Sequence, residues 1–236
     1  MTSDQQGGPA RRWRAAALAA VGVGMAGALF LGGVKATELW QGEPFPVADP
    51  VAVAGRLDAR TQAVYDALLL PDAPLNREWP SEGIEASIYD CHPRGLAHFL
   101  DSISDSPPRE PGTTAVHESW ALAGVTHAQA VDAMARARQT LTAAGWKVTS
   151  YTDLSPDDVT LRLKPPQADD GVTDGVTDGV SVALYPRGNL AVFAGTDCIR
   201  MPDTTPVDFE GRPDVPGPSA PVQLRDRRTA GAVAAG

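Results

Sequence analysis

The chain has 236 residues, 43% of them hydrophobic and 21% charged, which leaves room for one ordinary domain with appendages. Arg11, Arg12, Arg14 and Lys35 flank an apolar N-terminal run and Asp4 is the one acid before residue 36, so of 20 basic and 29 acidic side chains the remainder keeps 16 and 28, net −12. That balance speaks against nucleic acid as a partner, because phosphate contacts need Lys and Arg to displace counterions.

From Ala15 to Val34 twenty residues carry no charge, AAALAAVGVGMAGALFLGGV. As a helix rising 1.5 Å per residue they would span roughly 30 Å, one bilayer crossing. The arginines before the run place residues 1–14 in the cytoplasm by the positive-inside tendency and send everything after Lys35 across. The expectation is a single-pass cell-membrane protein whose first partner is the lipid bilayer, through residues 15–34. A cleaved signal peptide stays open as the alternative, with secretion after a cut near Ala36, although a secretory apolar core is usually shorter.

Residues 35–56, with three prolines in QGEPFPVADPVAVAG, read as an extended stalk. Leu57 to Leu70 has Leu57, Val64 and Leu68 at helical spacing and Pro71 as its stop. A loop rich in Pro, Asp and Asn follows. Gly83 to Cys91 alternates Ile84, Ala86 and Ile88 with polar residues, the period of a half-buried strand. Residues 95–104 put Leu96, Phe99, Leu100 and Ile103 on one face of a short helix. Thr113 to Gly124 reads as a second strand.

The next helix is the best signed. Thr126 can cap it with Gln129 three residues on; Ala130, Met134, Ala137, Leu141 and Ala144 form its stripe; Gly145 suits the C′ position. Trp146–Tyr151, Val159–Lys164, Val180–Tyr185 and Leu190–Ala194 read as strands. The repeat GVTDGVTDGV at 171–180 reads as a variable hairpin loop. After Met201 no periodic apolar pattern remains, so residues 202–236 are expected to form a disordered tail. The sum is an α+β fold, a small antiparallel sheet with one long helix on one face, over residues 57–201.

Cys91 and Cys198 are the only cysteines, an even number in a segment read as exported, and are expected to pair. The spacing of His92, His98, His117 and His127 does nothing of what HExxH does, so no metal is expected; no cofactor fingerprint, GxSxG elbow or phosphate loop occurs. Trp120 and Trp146 are candidates for a binding surface. Asp153, Asp157 and Asp158 could be imagined as paired carboxylates of an envelope hydrolase. The favoured reading is a non-enzymatic binding, sensor or accessory module whose partner is an envelope protein or ligand.

RGLAHF at 94–99, SWALAGV at 119–125, LTAAGWKV at 141–148 and the late cysteine in AGTDC, together with 17 Arg to 3 Lys, resemble a group of membrane-anchored or secreted proteins common in high-GC actinobacteria. The resemblance covers about half the chain. It implies the same location and domain type, and with no activity assigned to the group it transfers no catalytic residue.

Overall fold

The computed structural model describes residues 37, 39–80, 83–155, 158–166, 179–215 and 221–224. The run at 15–34, the Asp-Gly repeat and Asp157 lie outside the described residues, and among those that are described no helix is long and apolar enough to cross a membrane. The chain divides into two compact units, residues 1–44 with 93–108 and residues 45–92 with 109–236.

The larger unit is α+β, and its antiparallel sheet is not small: among the described residues it has seven strands. They are β1 (Gly83–Ser87), β2 (Thr113–Leu122), β3 (Lys147–Ser155), β4 (Asp158–Lys164), β5 (Val180–Tyr185), β6 (Asn189–Gly195) and β7 (Ile199–Arg200). The order is β1-β2-β6-β5-β4-β3, with β7 also pairing β2. The sheet is enlarged because β6 lies between β2 and β5, with Trp120 opposite Val192 and Val182 opposite Val192 on the other side, which joins the early strands to the late ones.

Among the described residues two long helices, not one, cover a single face. The first, α1, runs from Pro50 to Leu68, so the last third of the expected stalk belongs to it. Its start is set locally: the Asp49 carboxylate accepts from Val51 N at 3.1 Å, and Pro50 occupies the first turn, where a missing N–H costs nothing. It ends where Leu69 turns left-handed at φ 53° ahead of Pro71. A second long helix spans His127–Ala143 with the expected capping box, Thr126 Oγ1 accepting from Gln129 N and Gln129 Oε1 from Thr126 N. Its end is a Schellman motif, with Trp146 N donating to Leu141 O and Gly145 N to Thr142 O, and Gly145 takes φ 87°. Arg136 ties the helices by donating to Leu68 O at 3.1 Å.

Beneath the helices the inward residues of the central strands form the core: Val116, Trp120 and Leu122 of β2, Leu190 and Val192 of β6, Val180, Val182 and Leu184 of β5, and Val159, Leu161 and Leu163 of β4. From α1 come Val53, Leu57, Val64 and Leu68, and from the second helix Ala130, Met134, Ala137 and Leu141; Ala144, expected in that stripe, is exposed as the C-cap. Tyr65 meets Trp120 edge-on at 5.8 Å. Cys91 and Cys198 are bonded, with Cα atoms 5.6 Å apart, fastening the turn after β1 to the approach to β7. Arg200 N donates to Pro46 O and Ala48 N to Arg200 O, so residues 46–48 pair with β7 in parallel.

The folded part also continues beyond Met201, against the expected disorder. Val207 bridges Pro213, the Asp208 carboxylate accepts from the backbone of Glu210 and Arg212, and Leu224 is buried in the core while Val222 N donates to Gln62 of α1. A single buried leucine and a side-chain-stabilised turn leave no periodic trace in sequence.

In the smaller unit the expected helix at 95–104 is a 3₁₀ turn, Leu96–His98, followed by one α turn, Phe99–Ser102, which we label α2. Its backbone approaches residues 40–42 closely: a Cβ on Gly42 would lie 2.6 Å from the Arg94 carbonyl carbon, and one on Gly95 2.6 Å from the Trp40 carbonyl oxygen. Both glycines have left-handed φ, 86° and 90°, so no other residue fits either position without strain. The second long helix is accordingly α3.

Candidate binding surface

The sheet alternates strictly, so the residues that do not face α1 and α3 line its second face. Cross-strand register puts Ser119, Phe193, Ser181, Arg162 and Ser150 in one row across β2, β6, β5, β4 and β3. With strands about 4.8 Å apart the row is roughly 19 Å long. The next row is Ala121, Ala191, Ala183, Thr160 and Thr152, small throughout and hydroxyl-bearing on β4 and β3.

Three aromatic rings stand on this floor. Trp79 arrives from the loop after α1, which enters alongside β2 by Asn76 N donating to Ala121 O and Ala123 N to Pro74 O. Its indole N–H donates to Ser119 Oγ at 2.8 Å, and its ring lies 5.4 Å from Tyr185 and 5.9 Å from Phe193. Tyr185 and Phe193 meet at 6.2 Å, near edge-on. Ser119, Ala121, Ala183 and Ala191 are buried, while Tyr185 keeps 39% of its surface exposed. Nearby, Asn76 Nδ2 donates to Asn189 Oδ1 at 2.9 Å.

Toward the β3–β4 edge the face is basic at the end that holds Lys147 and Lys164, while Asp158 stands on the same face at the far end of β4. Lys147 and Lys164, two of the chain's three lysines, stand directly opposite each other across β3 and β4, and Arg162 precedes Lys164 by two residues on the same face. Like charges directly opposite on a ladder repel, and an anion between them relieves that repulsion. A face with aromatic rings at one end, hydroxyls in the middle and cations at the other can stack the C–H face of a ring, accept and donate to polyol hydroxyls and pair a carboxylate.

The candidates read from sequence lie elsewhere. Trp120 is fully buried and Trp146 retains 8% exposure, so neither offers a surface; both fill the helix-covered layer. Asp153 pairs in register with Val159, on the helix face, and its carboxylate sits 3.0 Å from His127 Nε2 at the start of α3. Asp158 alternates with Val159 and therefore faces the other way, so Asp153 and Asp158 do not form a carboxylate pair. His127 borders a cleft of about 430 Å³ lined by Val125, Thr126, Leu184 and Arg187. Among the described residues no three of His, Cys, Asp and Glu converge as metal ligands would. Tyr185 and Phe193 carried a signal in the sequence: each is a large aromatic on the outward phase of a strand whose inward phase is already filled by Val and Leu. Trp79 carried none, because it lies in a loop.

No protein family's sequence model matches the chain, and neither a curated protein nor a solved structure does.

Proposed function

We propose that this chain is a non-enzymatic binding module of the cell envelope, held in the membrane by residues 15–34 with its N-terminus in the cytoplasm and the domain from residue 37 outside, and that its ligand is an acidic saccharide bound on the open face of the sheet. The observation that carries the ligand class is the row from Ser119 and Phe193 to Arg162, with Trp79 and Tyr185 at one end and Lys147 and Lys164 at the other. The location is supported by the uncharged run behind three arginines and by the Cys91–Cys198 bond, since such bonds persist in oxidising compartments.

Titration of the full chain in lipid nanodiscs with polygalacturonate and with neutral dextran, followed by calorimetry, tests the reading. Saturable binding of the acidic polymer is expected, weakening as salt rises, and lost roughly tenfold or more in Trp79→Ala and in the double variant Lys147→Ala/Lys164→Ala. Equal binding of both polymers, or undiminished binding by both variants, sinks it.

A further inference from the structure

Among its described residues the smaller unit exposes its large apolar side chains. Leu96, Phe99, Leu100 and Ile103 follow the spacing i, i+3, i+4, i+7 that gives one face of a helical turn, yet they and Leu39 and Trp40 are between 54% and 75% exposed. A soluble surface carries such residues singly; grouped, they mark a contact. Two observations name the occupant. Trp40 follows Val34, the last residue of the uncharged run, by six positions, so full extension places it no more than roughly 20 Å from the end of that run. The close approach of Gly42 to Arg94 and of Gly95 to Trp40 then fixes the loop bearing Leu96–Ile103 to this same stretch of chain. His98 lies 3.3 Å from Asp101 on the turn itself, so these two polar groups are matched to each other.

We propose that Leu39, Trp40, Leu96, Phe99, Leu100 and Ile103 form a foot that sits in the headgroup–acyl boundary of the bilayer crossed by residues 15–34. The inference rests on the reading of that run as a membrane span. Tryptophan is enriched at this depth, where its ring is wetted on one side only, and shallow insertion of Leu, Ile and Phe drives interfacial binding through apolar burial. The foot would set the height and orientation of its unit over the membrane.

The test uses the full chain with its disulfide intact, carrying Leu100→Cys, or Gln139→Cys on exposed α3 as reference, labelled with an environment-sensitive fluorophore and reconstituted into phosphatidylcholine vesicles with or without brominated acyl chains. The label at 100 is expected to lose roughly half its emission to the bromines while that at 139 is unaffected. Emission at 100 unaffected by the bromines overturns the foot, and if the label is nevertheless shielded from water a second copy or another protein covers the patch. Flotation after an alkaline wash reads the span separately. A chain that floats but is not quenched at 100 loses the foot alone; one that is released by alkali yet quenched at neutral pH keeps the foot and loses the span.

Discussion

The indole nitrogen of Trp79 donates to the Ser119 hydroxyl across 40 residues of sequence, and that bond holds a loop aromatic against Tyr185 and Phe193, tilted to each. Trp79→Phe keeps the ring contacts and removes the donor, which is expected to lower unfolding free energy by about 1 kcal/mol. Trp79→Ala also removes the ring pairs and their buried area, for about 2–3 kcal/mol. Urea unfolding of the two variants side by side checks this; an equal loss in both would mean that the aromatic contacts contribute nothing.

Trp120 is fully enclosed between β2 and α1, and its indole N–H finds no hydrogen-bond partner among the described residues. Trp120→Ala should destabilise the larger unit by about 3–5 kcal/mol through the cavity it leaves. Trp120→Phe removes the unsatisfied donor along with part of the ring, so its loss should be distinctly smaller. Thermal unfolding by near-ultraviolet dichroism distinguishes the two, and a Phe variant as weak as the Ala variant would contradict the packing described.

The Cys91–Cys198 bond closes a loop of 107 residues. In the chain-entropy account a loop of that length contributes about 4–5 kcal/mol by restricting the unfolded chain. Denaturant curves with and without a phosphine reductant should differ by an amount of that order, and Cys91→Ala/Cys198→Ala should match the reduced protein. Coincident curves would refute the contribution.

The Asp208 carboxyl is held below its ordinary 3.8, chiefly because the Arg212 backbone N–H donates to it, with burial opposing and the Glu210 N–H and the Arg212 charge assisting. A folded value below the unfolded one stabilises the 206–213 turn above pH 3.8 and loses that contribution as pH falls through the folded value. The Arg212 and Glu210 amide resonances, followed downward from about pH 6, should titrate together below 3.8. A midpoint at or above that value would sink the assignment.

How much of this was legible depends on the range of the interactions involved. The α3 helix was readable at both ends because Thr126, Gln129 and Gly145 act within a few residues of themselves. Strand phases were readable from alternation in Val180–Tyr185 and Asn189–Gly195. The start of α1 was written in Asp49-Pro50, yet three nearby prolines gave the stretch the look of a stalk. Sheet order was not legible, because the insertion of β6 beside β2 depends on partners some 70 residues apart. The open face needed that order first: Ser119, Phe193, Ser181 and Arg162 become neighbours only once four strands are in register.

The parallel pairing of residues 46–48 with Arg200 gives the larger unit a definite response to mechanical load. A pull along the chain from its N-terminal side meets the sheet at Pro46, where two hydrogen bonds to Arg200 run across the direction of the strand and are loaded together in shear. Cys198, two residues from Arg200, carries a covalent link back to the end of the β1 turn. Force that breaks the pairing therefore passes next to a cross-link that cannot be peeled apart, and α1, which starts two residues after Ala48, is the element left to come away first.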